Sequence, residues 1–208
     1  MQVGTRSLVL VAGKPGSGKS STTLDFVNKP ENESHLYHIS IGDTLRAIGE
    51  GQLNSVYLEE LTSSIDELKH AKPLPEDLVL NILGERLLSL TNFKVVFLDG
   101  YPRFEQQIVA FESRTKKVGV GILGLINVEV SDQVACERLI SRPSRVGERS
   151  TNQAFAETRL EEFHKNTAPV IEVLKSRYPH CGIDGEASKE IVLKEFKLAF
   201  EILSRNKI

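Results

Sequence analysis

Gly13-Lys14-Pro15-Gly16-Ser17-Gly18-Lys19-Ser20 follows the apolar run Leu8-Val9-Leu10-Val11-Ala12 and precedes Ser21-Thr22-Thr23-Leu24-Asp25-Phe26-Val27, which reads as a helix start. A strand, a tight glycine turn and a helix in that order are the context that makes the pattern a phosphate-binding loop. Glycine has no Cβ, so the turn wraps close around a polyphosphate and points consecutive N–H groups, with the positive end of the helix, at the ligand. Gly13, Pro15, Gly16, Ser17, Gly18, Lys19, Ser20 and Ser21 are the expected contacts to the nucleotide donor. Lys19 is expected over the β- and γ-phosphates, and Ser20 at a Mg²⁺ ion or one of its waters.

The 208 residues, 40% hydrophobic, suffice for one substantial core, and one domain is the expectation. A net charge of −2 gives no support to a nucleic-acid or anionic-membrane partner. The two cysteines, Cys136 and Cys181, stand far apart outside any CxxC pattern, which argues against a disulfide framework or a zinc site. A reducing, cytoplasmic setting fits, and the short N-terminal apolar run reads as a buried strand and not as a signal peptide or membrane span.

Working outward from the loop, Lys29 to Ser34 breaks the pattern and Leu36-Tyr37-His38-Ile39 reads as a second strand. Gly42 to Gly49 looks helical. Val56, Leu58, Leu61, Ile65 and Leu68 give Asn54 to His70 an amphipathic period that ends at Pro73 and Pro75. Pro75-Glu76-Asp77 then opens a helix through Leu78 to Leu90. Val95-Val96-Phe97-Leu98 ends at Asp99-Gly100, as a central parallel strand facing a ligand does. A helix from about Glu105 to Lys116, a strand over Ile122 to Val128 and a helix capped by Ser131 or Asp132 follow. Arg142 to Thr151 reads as a loop, Asn152 to Arg177 as one long helical segment, Cys181-Gly182-Ile183 as a short strand, and Ser188 as the cap of a final helix. Alternating strands and helices give an α/β fold with a mostly parallel sheet.

Four further clusters lie where a second phosphorylated substrate needs them: His38-Ile39-Ser40-Ile41-Gly42-Asp43-Thr44-Leu45-Arg46; Asp99-Gly100-Tyr101-Pro102-Arg103 with Gln107; Glu137-Arg138-Leu139-Ile140-Ser141-Arg142; and Arg159, preceded by Arg145 and Arg149. Phosphoryl transfer between two polyanions requires cations that neutralise both and follow the charge on the transferring group. Arginine suits this because its planar fork makes paired bonds to phosphate oxygens.

In order and spacing these motifs, with Thr167-Ala168-Pro169-Val170-Ile171, resemble the adenylate kinase family of nucleoside monophosphate kinases, from the phosphate loop to about Asp184-Gly185. The resemblance implies a three-layer P-loop NTPase fold, a five-stranded parallel sheet flanked by helices, with an acceptor-binding insertion over about residues 40–74 and a short lid over about 142–151. It implies a phosphotransferase using Mg-ATP, with no zinc. Lys19, Arg103, Arg142, Arg149 and Arg159 are the implied catalytic cations. Arg138 is expected against the donor base. Ser40, Ile41, Gly42, Arg46, Leu74, Gly100, Arg103 and Gln107 form the implied acceptor site, and Ser20 with Asp99 the Mg²⁺ site, partly through water. A glutamine at position 107 goes with AMP in the family, its carboxamide pairing with adenine N6 and N1. The expectation is a cytoplasmic monomer converting ATP and AMP to two ADP. A pyrimidine or other monophosphate kinase, or a nucleotide-binding protein with weak or no transfer, stands as the alternative.

The chain departs from the family pattern at identifiable places. Ser20-Ser21 replaces Gly-Thr, and Ile41 replaces a threonine, removing a hydroxyl near the acceptor base. Glu148 stands where a lid arginine is expected, with Arg149 one residue later, and Ser150-Thr151 replaces an acidic pair. An altered lid closure admits water, so low turnover with some ATP hydrolysis is the expectation. The segment between Arg46 and Leu74 is longer than usual, implying an extended acceptor-binding flap.

Overall fold

The computed structural model describes residues 6–32, 35–68, 74–90, 92–141 and 152–205. Strand β1 (Arg6–Gly13) is apolar from Leu8 onward because both its faces are covered. Leu8 and Leu10 enter one core and Val9 and Val11 the other. With β2 (Leu36–Ser40), β3 (Val95–Asp99), β4 (Val120–Glu129) and β5 (His180–Asp184) it forms a parallel sheet in the order β2-β3-β1-β4-β5. The five-stranded parallel sheet is the one expected from the sequence.

On one face lie α1 (Lys19–Val27) and α9 (Lys189–Arg205), whose Phe26, Phe196 and Phe200 meet Phe97 of β3 with ring centroids 5.2 to 5.7 Å apart. On the other lie α4 (Glu76–Ser89), α5 (Gln107–Lys117) and α8 (Ala168–Arg177), which supply Leu83, Phe111 and Leu174 to a core with Leu8, Val96 and Leu125. The connections leaving β1 and β3 therefore go to opposite faces. The crevice between the carboxyl ends of these neighbouring strands is the place where such sheets bind ligands.

Between β2 and α4, α2 (Ile41–Gly49) and α3 (Leu58–Leu68) build a satellite core from Ile48 and Leu61 against Leu78 and Ile82 of α4. Glu85 ties the flap down, accepting from the Ser55 hydroxyl at 2.5 Å and the Val56 N–H at 3.0 Å. The amphipathic segment expected from Asn54 is helical over the narrower span of α3. After β4 come α6 (Asp132–Ser141) and α7 (Gln153–Glu162). The long helix expected from Asn152 is divided into α7, a π-helical turn over Phe163–Thr167, and α8. Pro169 has no N–H to return to the Lys165 carbonyl, and a widened turn absorbs the missing bond. No helix among the described residues is long and apolar enough to cross a membrane.

The aromatic contact between α9 and the sheet makes a direct test of this packing. Phe196 is fully buried against the rings of Phe26 and Phe97, so Phe196→Ala should lower the unfolding free energy by about 3–5 kcal/mol in urea titrations.

Candidate active site

The loop between β1 and α1 closes around its own backbone: the Ser17 N–H donates to the Lys14 carbonyl at 3.0 Å and Thr22 N–H to Gly18 at 2.9 Å. Gly16 and Gly18 have φ of +84° and +87°, in the left-handed region that favours glycine. Gly16 is also a contact point, since a Cβ there would run into the Ala135 carbonyl of α6. The loop thus rests directly on the α6 backbone. The Ser17 hydroxyl is buried and has no hydrogen-bond partner among the described residues, while the Ser21 hydroxyl donates to the Gly18 carbonyl at 2.8 Å.

Lys19, the first residue of α1, extends its Nζ to 3.5 Å from the Lys14 carbonyl and 4.0 Å from Asp99 Oδ1. The Ser20 hydroxyl donates to Asp99 Oδ2. On the same face of the sheet, His38 of β2 places Nε2 at 3.7 Å from that oxygen, beyond hydrogen-bond reach, so it acts on Asp99 electrostatically. Burial alone would push the Asp99 carboxyl up. The Lys19 charge and the Ser20 and His38 side chains outweigh it, so the group lies below its ordinary value and is ionised. An ionised carboxylate beside a hydroxyl, at the mouth of a phosphate loop, matches the hard oxygen donors that Mg²⁺ takes while keeping waters and substrate phosphates as its remaining ligands. Ser20 and Asp99 fit that ion.

Across the crevice, Arg46 of α2 and Arg103 converge. A Cβ built on Gly42 would lie 3.5 Å from one Arg46 nitrogen and 3.9 Å from an Arg103 nitrogen, so both guanidinium groups hang over a glycine surface. Asp43 accepts from Arg46. Arg103 Nε donates to the Gly100 carbonyl at 2.8 Å, and Gly100 adopts φ +81°. The Arg103 side chain keeps an exposed edge to the open cleft, but its guanidinium is set deep among protein atoms. That desolvation, then the Arg159 and Arg46 cations, lower its pKa against the opposing pull of Asp99. It stays charged, as arginine does. Arg159 of α7 lies 5.8 Å from the Phe155 ring centroid.

Around these cations, Gln107 accepts from the Arg103 N–H at 2.8 Å and the Phe104 N–H at 3.2 Å, both at its Oε1. Two N–H donors fix the amide orientation and leave Nε2 as the edge available to a ligand. Ser40 caps α2 through the Asp43 N–H at 3.3 Å. Ile41 turns into the main core, at 4% exposure, beneath the cleft. Its side chain is therefore part of the packing. Leu74 is half-buried between the main and satellite cores. Burial, with Glu76 and Asp77, pushes the Tyr101 phenol well up, and its ring packs edge-on against Phe111. Arg138 donates to the Gly185 carbonyl at 2.9 Å and the Ser17 carbonyl at 3.4 Å, joining the loop to the β5–α9 turn. Arg142, Arg145, Glu148, Arg149 and Ser150-Thr151 lie outside the described residues.

Two groups near the site, Lys14 and His164, carried no assigned role in the sequence. Lys14 is paired with Asp132 at 2.6 Å, and Asp132 in turn lies 3.0 Å from His164 Nε2. A second lysine inside the phosphate loop was the available signal; its direction was not.

Chemically, the arrangement offers a polyphosphate cradle and a metal-ready carboxylate on one side of the crevice and paired guanidinium groups on the other. A family model described as adenylate kinase matches residues 11–178. The chain is 28% identical over 195 residues to the "Adenylate kinase" of Phocaeicola vulgatus, covering 94% of this chain and 98% of that protein. It is 29% identical over 189 residues to the "Adenylate kinase 1" of a Nostoc species, covering 91% and 96%, and 29% identical over 193 residues to the "Adenylate kinase" of Helicobacter pylori, covering 92% and 95%. With the phosphate loop, Asp99 and the arginine-lined cleft at the carboxyl edge of the sheet, these matches show that the chain belongs to the adenylate kinase family and is a phosphotransferase of the nucleoside monophosphate kinase class.

Proposed function

We propose that the protein transfers the γ-phosphoryl of Mg-ATP to AMP, giving two ADP. The observation that carries this is the convergence of Arg46 and Arg103 over Gly42, across the crevice from Lys19. Arg46 and Arg103 hold the acceptor phosphate through paired guanidinium bonds. Lys19 and the loop N–H groups hold the donor phosphates, and Arg159, beside Arg103, follows the charge on the group in transit. Ser20 and Asp99 hold Mg²⁺, which when bound neutralises phosphate charge. Positioning and electrostatics account for the chemistry, with no covalent intermediate.

The base preference rests on Gln107. With Oε1 taken by two backbone N–H groups, its Nε2 offers a donor, which suits a bare ring nitrogen. Adenine N1 and cytosine N3 are bare, whereas guanine N1 and uracil N3 carry hydrogen and would leave two donors opposed. In this assignment Arg142 and Arg149, of the segment 142–151, serve the donor phosphates, and residues 40–74 are the acceptor-binding insertion. Gly13, Pro15, Gly16, Ser17, Gly18, Lys19, Ser20, Ser21 and Arg138 bind ATP, with Arg138 against the base. Ser40, Ile41 and Leu74 shape the acceptor pocket from beneath. In this assignment the protein is a cytoplasmic monomer.

With ATP as donor, a coupled ADP assay across monophosphates should give AMP the highest kcat/KM, with GMP and UMP lower by about tenfold or more. A preference for UMP or GMP would overturn the assignment. Lys19→Met should lower kcat by about 10²–10³-fold. Gly42→Val should fill the surface under Arg46 and Arg103 and raise the acceptor KM about tenfold, while the ATP KM stays within about twofold.

A further inference from the structure

We infer that Lys14, Asp132 and His164 form a brace that sets the donor half of the site against the helix carrying Arg159, with Asp132 as its positioning residue for ATP. This rests on the proposed kinase function, to which it adds a residue that touches no substrate. The Lys14 side chain leaves the phosphate loop sideways. Its Nζ lies 2.6 Å from Asp132 Oδ1 and donates to the Val130 carbonyl at 2.8 Å. The backbone of Lys14 does the opposite job: its carbonyl accepts from the Ser17 N–H at 3.0 Å and faces Lys19 Nζ at 3.5 Å. The residue whose carbonyl shapes the loop and faces its phosphate-binding lysine is thus anchored by its side chain to the start of α6.

Asp132 is shared. Both its oxygens lie 3.0 Å from His164 Nε2, on the π-helical turn that continues α7, the helix bearing Arg159. The same turn reaches the acceptor side, where the Thr167 hydroxyl donates to the Arg103 carbonyl at 3.3 Å. The neighbouring carboxylate, Glu186, is occupied with the Ser131 N–H at 2.5 Å and does not replace Asp132 in the brace. Hydrogen bonding from Lys14, opposed by slight burial and supported by His164, holds the Asp132 carboxyl below its ordinary value and so ionised. Asp132 is half exposed, at 55%, so each pair is a modest one, and the expected effect is a shift in ATP affinity and not a loss of the fold.

The test is calorimetric titration with ATP in the absence of acceptor, followed by steady-state kinetics, on the full chain and on Lys14→Met, Asp132→Asn, His164→Gln and the Lys14→Met/Asp132→Asn double variant. Lys14→Met and Asp132→Asn should each weaken ATP binding by about three- to fivefold. The double variant should be no weaker than either single change, because one interaction is lost once. His164→Gln, which keeps a donor toward Asp132, should bind ATP as the unaltered protein does. Acceptor KM and melting temperature should not move. The brace is overturned by ATP affinities within about 1.5-fold of the unaltered protein, by additive losses in the double variant, or by equal loss of donor and acceptor affinity with a lower melting temperature. Failure of the unaltered protein to phosphorylate any monophosphate would overturn the kinase function while the ATP titrations still report on the brace. Failure to bind ATP at all would overturn both.

Discussion

Asp99 holds its carboxylate at 3% side-chain exposure at the end of β3, which has a strand on each side, and a charge in that position is tolerated only if its neighbours supply opposite charge and hydrogen bonds. Lys19 and Ser20 do so from α1, and His38 of β2 lies beside the same carboxylate, so α1 and β2 take their positions partly from one carboxyl group. Breaking such a buried arrangement by removing one partner costs about 3–5 kcal/mol, enough to consume much of a domain's net stability. Lys19 must therefore stand where the phosphate loop brings it, and the loop must close as it does. The same carboxylate limits the repulsion among the cations around Arg103, since Asp99 opposes the lowering that Arg159 and Arg46 impose on that guanidinium.

Much of this was legible in the sequence because it follows from short, local rules. The strand, glycine turn and helix around Gly13 to Ser20, the buried runs at Val95 to Leu98 and Ile122 to Val128, and the sheet they form are set by periodicity and by glycines that occupy positive φ. Less legible were features decided across space. Ile41, next to a site residue in sequence, is buried in the main core with Leu10, Val79 and Tyr101. Gln107 reads as a carboxamide with two free edges until the chain bends at Gly100 and brings the Arg103 and Phe104 N–H groups onto its oxygen. The helix expected as one piece from Asn152 to Arg177 carries a π-helical turn, since helical period alone does not register a one-residue widening ahead of Pro169.

That turn has consequences for how the two halves of the cleft relate. His164 and Thr167 are three residues apart, within a single turn, yet one reaches Asp132 beside the donor loop and the other the Arg103 carbonyl on the acceptor side. A regular helix would carry these side chains at a different angle to one another. Arg159 lies on α7, the helix that this segment continues. The segment that follows the helix of Arg159 is therefore tied to both sides of the cleft.

The balance between rigid and adjustable parts follows from where burial is invested. Asp99, Ser17 and the Gly16 contact with Ala135 are deep and leave the donor loop little freedom. Arg46, by contrast, is held by an exposed partner, Asp43, and sits on a flap whose satellite core is separate from the main one. An exposed ion pair contributes little and exchanges readily with a phosphate, whose charge and paired oxygens make the stronger partner for the same guanidinium. Asp43 thus keeps Arg46 oriented over Gly42 without committing it, while the loop side of the crevice keeps a fixed geometry.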